Sequence, residues 1–257
     1  MKQNPEIFFL IGLMLISASL FGQNTDYEVY SKTEIRNADR AEVSISMFAG
    51  EMNLQGNKQK ELMFGEFLYD DPVYGKPVRS YREDKGVAYL GIESDDIIDL
   101  DMDDDEECIW NMRVNNKIPI ELKINMAAGL ANIDLEGTTL EKFDYALKAG
   151  EAHINLKNTS VSRIRFKAIA GEAHFDLSGD RKNDLEAHMK GGVGNLYILL
   201  PRDSNLEIDI TGLIGEINVD GLSKKNGYYI RKTDPEDPTL RIDITAGIGN
   251  IYLKLAE

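Results

Sequence analysis

The sequence predicts an all-β solenoid, a chain that coils with a fixed period and stacks each coil on the one before. Three observations carry that expectation. Gly129, Gly150, Gly171 and Gly192 are spaced 21 residues apart. Apolar and polar residues alternate on both sides of each glycine, and both patterns resume in phase at Leu213 and, after a 13-residue insertion, at Gly247. A period of this length marks a repeat architecture in which one unit cannot bury its own apolar face but a stack of units can.

Taken in order, the first element is a leader. Lys2 precedes an apolar run of 14 residues from Ile7 to Leu20, followed by small and polar residues, the arrangement of a secretory signal peptide over residues 1–22. The run is shorter than the ~20 residues needed to span a bilayer, so cleavage after Gly22 is expected rather than retention as an anchor. Residues 23–107 form the second region. It opens with an isolated copy of the repeat, in which Val43, Ile45 and Met47 precede Ala49-Gly50-Glu51-Met52-Asn53-Leu54. It continues with irregular strands at Leu62–Tyr69 and Gly86–Ile92 and ends in an acidic run, Glu93–Glu107, with ten acidic residues in fifteen. This region is expected to form an irregular β cap, and the run a solvated acidic loop, because no turn glycine spaces its carboxylates for calcium.

Residues 108–257 form the solenoid. Counted from the periodic marker, the second position is Ala131, Ala152, Ala173, Gly194, Gly215 and Gly249, and the fourth is Ile133, Ile154, Phe175, Leu196, Ile217 and Ile251. Before the marker, Leu122, Phe143, Ile164, Leu185, Leu206 and Leu240 recur seven back. Each copy therefore holds two strands with one buried face, and coils stack ~4.8 Å apart. Leu140 and Val161 suggest a short third side. A β-sandwich of hairpins is the competing arrangement. The loop 223–238 is the one large excursion, a place where solenoids put specificity. The last rung, Ile248–Leu255, is expected to leave an open edge that pairs with a partner or with a second copy of the chain.

The formal charge is −15, from 44 acidic and 29 basic residues, which argues against nucleic acid and anionic lipid as partners. Cys108 is the only cysteine, so there is no internal disulfide. The chain lacks a nucleophile elbow and a His-Glu-x-x-His zinc motif. Asp134, Asp176, Asp209 and Asp243 are outward carboxylates that a polysaccharide-cleaving β-helix would use in pairs, although such pairs arise by chance in so acidic a chain. No catalytic set and no cofactor site is assigned. His153 and His174 lie three residues after their glycines, so stacking makes them outward neighbours, with Glu151, Glu172 and Asp176 on the same face. They are the candidate metal pair, weighed against a polar surface ladder in which Asn132, Asn195 and Asn250 hold the same place. Trp110 is expected in the core or cap.

Ala49-Gly50-Glu51, the Trp110 strand leading to Pro119 and Leu122, the Ala-Gly-Glu-Ala copies at 149–152 and 170–173, and Gly192-Val-Gly194-Asn-Leu-Tyr-Ile-Leu-Leu-Pro201 together resemble the toast-rack family. That family comprises the C-terminal domain of cell-wall-active antibiotic response proteins and the related "putative adhesin" domains. The resemblance implies a single-stranded right-handed β-helix, no catalytic residues, and for some members a part in envelope stress sensing through partner proteins. The family's multi-pass membrane segment is replaced here by the leader. The expectation is a non-enzymatic exported protein, periplasmic or extracellular, that binds an envelope protein or glycan as a scaffold or adhesion module. The alternative is a carbohydrate-active β-helix enzyme.

Overall fold

The computed structural model describes residues 25–70, 76–94 and 107–257. The expected leader and nearly all of the acidic run lie outside the described residues. Sixteen strands join in one sheet, with no helix among the described residues. They are β1 (Thr25–Glu34), β2 (Arg40–Asn57), β3 (Glu61–Asp70), β4 (Val78–Asp84), β5 (Val87–Glu93), β6 (Cys108–Asn115), β7 (Ile120–Asp134) and β8 (Leu140–Asn155). There follow β9 (Arg163–Asp176), β10 (Leu185–Leu200), β11 (Asn205–Thr211), β12 (Ile217–Asp220), β13 (Ser223–Lys225), β14 (Tyr228–Arg231), β15 (Thr239–Ile248) and β16 (Ile251–Leu255).

The long strands β2, β7, β8, β9 and β10 lie parallel, and each bends at a glycine into two legs. Period-2 alternation turns one side of each leg inward, so the rungs bury rows of like residues. On the first leg Val43, Leu122, Phe143, Ile164, Ala187, Ile242 and Ile208 follow one another in register. On the second leg Leu54, Ile133, Ile154, Phe175, Ile198, Leu253 and Val219 do the same. The two legs meet inside, where Phe166 and Phe175 make an edge-to-face contact with centroids 5.0 Å apart. Leu140, the first residue of β8, and Val161, in the connection before β9, are both buried. Thr138 and Thr159 each donate from Oγ1 to the carbonyl three residues back, closing equivalent turns.

The rungs do not stack in chain order at either end. In space the order is β5 with β6, then β2, β7, β8, β9, β10, then β15 with β16, then β11 with β12. The early copy, β2, is thus an interior rung rather than part of a cap, and the boundary expected near residue 108 divides the first rung between β5 and β6. At the other end the chain builds the outermost rung first and then threads β15 and β16 into the gap behind it. The edge expected at Ile248–Leu255 is therefore closed: β16 lies between β10 and β12. Antiparallel strands cover both legs of the first rung, with β4 on β5 and β3 and then β1 on β6, and the first leg of the last rung, with the hairpin of β13 and β14 on β11. The loop 223–238 is this capping hairpin together with a turn tied down by the buried Asn205, whose side chain holds the backbone of Thr233, Asp234 and Asp237.

The register also corrects the periodic frame. Gly171 pairs with Gly194, not Gly192. The coil between them has two extra residues between Asp176 and Glu186, where the preceding coil runs from Asn155 to Arg163. Arg181, buried, occupies that longer turn and donates to the Val161 carbonyl. The corner glycines are thus Gly50, Gly129, Gly150, Gly171, Gly194, Gly249 and Gly215, each against the next in the stack.

Candidate ligand-binding face

The outer side of the second leg carries one side chain per rung at the third position after each corner glycine. The strand pairing sets these in a row: Asn111, Asn53, Asn132, His153, His174, Tyr197, Tyr252 and Asn218. Rung spacing of ~4.8 Å suits flat side chains, which can stack without leaving their rotamers. His153 and His174 stack with centroids 4.7 Å apart, His174 and Tyr197 at 4.4 Å, and Tyr197 and Tyr252 at 4.5 Å, with the last two pairs within 4° of parallel. Beyond the rings the row continues as amides, with Asn132 donating to Asn53 and Asn53 to Asn111, both at 3.0 Å.

A second row runs beside the first. Glu151 lies 2.7 Å from Nε2 of His153, and Glu172 lies 2.7 Å from Nε2 of His174. Asn195 donates to Glu172 at 3.2 Å and accepts from Asn250. The Asn195 amide first, and His174 next, hold the Glu172 carboxyl below the usual carboxylate range. On the other flank Asn155 donates to Asp134 at 2.9 Å, and Asp176, Leu199 and Lys254 follow in register. The row of rings and amides and the flank from Asp134 to Lys254 line a shallow groove of about 1030 Å³ that crosses all the rungs from Asn111 to Asn218.

The structure brings His153 and His174 together, with Glu151 and Glu172 beside them. It divides the four candidate carboxylates: Asp134 and Asp176 border this groove, whereas Asp209 and Asp243 pair on the first leg, where Asp243 meets His188 at 3.2 Å. Trp110 is buried edge-on against Phe67, with centroids 5.2 Å apart, and is a core residue. Cys108 is buried. The sequence frame put Asn195 and Asn250 in the histidine row, and the two-residue register shift replaces them with Tyr197 and Tyr252. Those tyrosines were the missed members of the site. The signal available for them was the pattern Asn-Leu-Tyr-Ile at 195–198 and Asn-Ile-Tyr-Leu at 250–253, aligned tyrosine to histidine.

Among solved structures, a "putative cell adhesion protein" from Clostridium sporogenes is similar over 90% of this chain and 100% of its own, at 22% identity and a TM-score of 0.69, which shows a shared fold. A "putative adhesin" from Bacteroides fragilis aligns over 90% of this chain and 98% of its own at 8% identity and a TM-score of 0.31. No curated protein matches the sequence. The family described as the N-terminal domain of toast_rack, DUF2154, matches residues 21–158 and again 143–199, two overlapping stretches of a chain that repeats itself. The stack of glycine-cornered rungs and this match over most of the sequence place the chain in the toast-rack family.

Proposed function

We propose that this chain is an exported, non-enzymatic binding module of the cell envelope, acting in adhesion or in envelope stress signalling. We read it as a right-handed β-helix, with coils of 21 residues apart from the longer one between Gly171 and Gly194, that presents the outer face of its second leg to an extended partner. The observation that carries this reading is the groove: a row of stacked His153, His174, Tyr197 and Tyr252, flanked by acids and amides and running the length of the stack. A long, shallow, polar-aromatic face fits an extended chain, protein or glycan, better than it fits a small substrate, which needs an enclosing pocket. The ring faces are used up in stacking against one another, so a ligand would meet ring edges and hydroxyls and be held by hydrogen bonds.

Export rests on the apolar run Ile7–Leu20. A binding role over catalysis is supported by the words "cell adhesion" in the name of the similar Clostridium protein.

The test is amine-reactive cross-linking in intact envelopes, followed by mass spectrometry. Lys254 lines the groove and serves as the reporter. Cross-links from Lys254 to one envelope protein, together with a mature N-terminus after Gly22, are the expected result. Protein cross-links confined to Lys123, Lys167 and Lys190 on the first leg would overturn the assignment of the face. Recovery of glycan alone would make the partner a polysaccharide, and turnover of it would overturn the non-enzymatic reading.

A further inference from the structure

We infer that Glu151, His153 and His174 form a binding site for a borderline divalent transition metal of the zinc class. The site lies on the face described above but does not depend on that face having a macromolecular partner.

The three side chains each offer a ligand atom, and these atoms all lie within 4.8 Å of one another. Ligands on one zinc ion, each about 2.0–2.2 Å from it, stand some 3–3.6 Å apart, so closing the set takes shifts of about an ångström in exposed side chains. The backbone has already done the larger part of the assembly. Parallel pairing sets His153 against His174 and Glu151 against Glu172. The imidazoles are stacked at 22°, so both present their edges on the same side of the sheet. Tyr197, parallel to His174 and 4.4 Å from it, holds that ring from the next rung. Each Nε2 faces a carboxylate oxygen at 2.7 Å, the position where a cation can replace the shared proton.

The donors choose the metal. Two imidazole nitrogens and a carboxylate oxygen suit zinc, copper or nickel, whereas calcium and magnesium need shells made of oxygen. Glu172, held by Asn195 at 3.2 Å, stands beside the set as a further carboxylate on the Nε2 side of His174. Half-exposure of His153 and Glu151 leaves room for water or for a partner's side chain at the remaining position, so the metal would be shared with a ligand rather than enclosed. The third histidine, His188, lies on the first leg between Glu186 and Asp243 and is not part of the set.

The experiment is calorimetric titration of the untagged mature chain with zinc chloride, compared with His153→Ala, His174→Ala and His188→Ala. All three positions are on the surface, so unchanged melting temperatures establish that the variants are folded. The expected result is one saturable site that weakens by at least about tenfold in His153→Ala and in His174→Ala and persists in His188→Ala. Zinc binding by the His153 and His174 variants that equals the parent's would assign the ion to acidic residues elsewhere and overturn the proposal, as would the absence of saturable binding by the parent. Loss on His188→Ala alone would move the site to the first leg and overturn it equally.

Discussion

A side chain at Gly171 would place its Cβ 1.8 Å from the carbonyl oxygen of Gly150, the corner glycine of the rung beside it. Gly150 stands in the same relation to Gly129, at 1.9 Å. The corner therefore works as a column in which every carbonyl points into the space the next residue must leave empty. The backbone angle compounds this, since Gly171 has φ of +126°, outside the range that L side chains adopt. Gly171→Ala should cost about 3 kcal/mol or more, combining strain with a backbone clash that no rotamer relieves. Gly191→Ala is the control, because a Cβ there has nothing within 4 Å. Urea denaturation of the two variants is the measurement, with the first far below the parent and the second within about 0.5 kcal/mol of it.

Asn205 supports the order of the last rungs. It is buried, donates from Nδ2 to the carbonyls of Asp234 and Asp237 at 2.9 and 3.0 Å, and accepts from the amide of Thr233. The turn it holds is the one that returns the chain from the capping hairpin into the slot between β10 and β11. Asn205→Ala removes three hydrogen bonds to this turn, although the Asp234 carbonyl keeps the one it accepts from the Asp237 amide, and should destabilise the protein by about 1–2 kcal/mol. Proteolysis should then cut first within 223–238, before any other described segment, and uniform cleavage along the chain would contradict this role.

The inside and outside of every rung were legible in the sequence, and so were the neighbours of the 21-residue rungs at Gly129, Gly150 and Gly171, but the neighbours of the other rungs were not. Ile154 and Phe175 are buried as their alternation requires. Alternation has period 2, however, so a shift of two residues leaves every side chain on its own face. The frame could therefore slip from Gly194 to Gly192 without any apolar residue turning outward. That slip concealed the join of His174 to Tyr197, and with it half of the ring stack. The extra pair of residues sits where Arg181 is buried, and a buried arginine in a turn looks like an ordinary polar loop in the sequence. The exchange of the last two rungs was hidden for a different reason. A parallel rung offers the same hydrogen-bonding edge to any other rung, so the order depends on connections such as the Asn205 turn, which leave no periodic trace.

Arg181 gives a prediction of opposite sign. Its Nε and Nη1 are buried without partners, and desolvation lowers its guanidinium to about 10. A basic group whose folded pKa lies below its unfolded value binds protons less readily in the native state. It therefore opposes folding below about pH 10, and its unfavourable contribution should fade as pH climbs above that value. Arg181→Met keeps the stem and removes the charge, and should be neutral or stabilising by about 1–2 kcal/mol. A fall in melting temperature of several degrees would mean that the bond to the Val161 carbonyl outweighs the buried charge.

Glu172 tests whether the rows on the binding face are coupled from rung to rung. Its carboxyl is held low chiefly by the Asn195 amide of the adjacent rung and secondly by His174 of its own. A carboxylate whose folded pKa is depressed adds stability above its unfolded value near 4.5, and that contribution is lost as pH falls through the lower folded value. Asn195→Ala removes the larger influence, so the Glu172 titration should move up towards the ordinary range, and acid unfolding should begin at a higher pH. Carboxyl carbon shifts followed by NMR from pH 6 to pH 2 report on Glu172 directly. A titration that stays in place after Asn195→Ala but moves after His174→Ala would show that each rung orders its own side chains. Movement in both variants would show that the stack orders them together, and a ligand crossing the groove would then meet a face pre-set along its whole length.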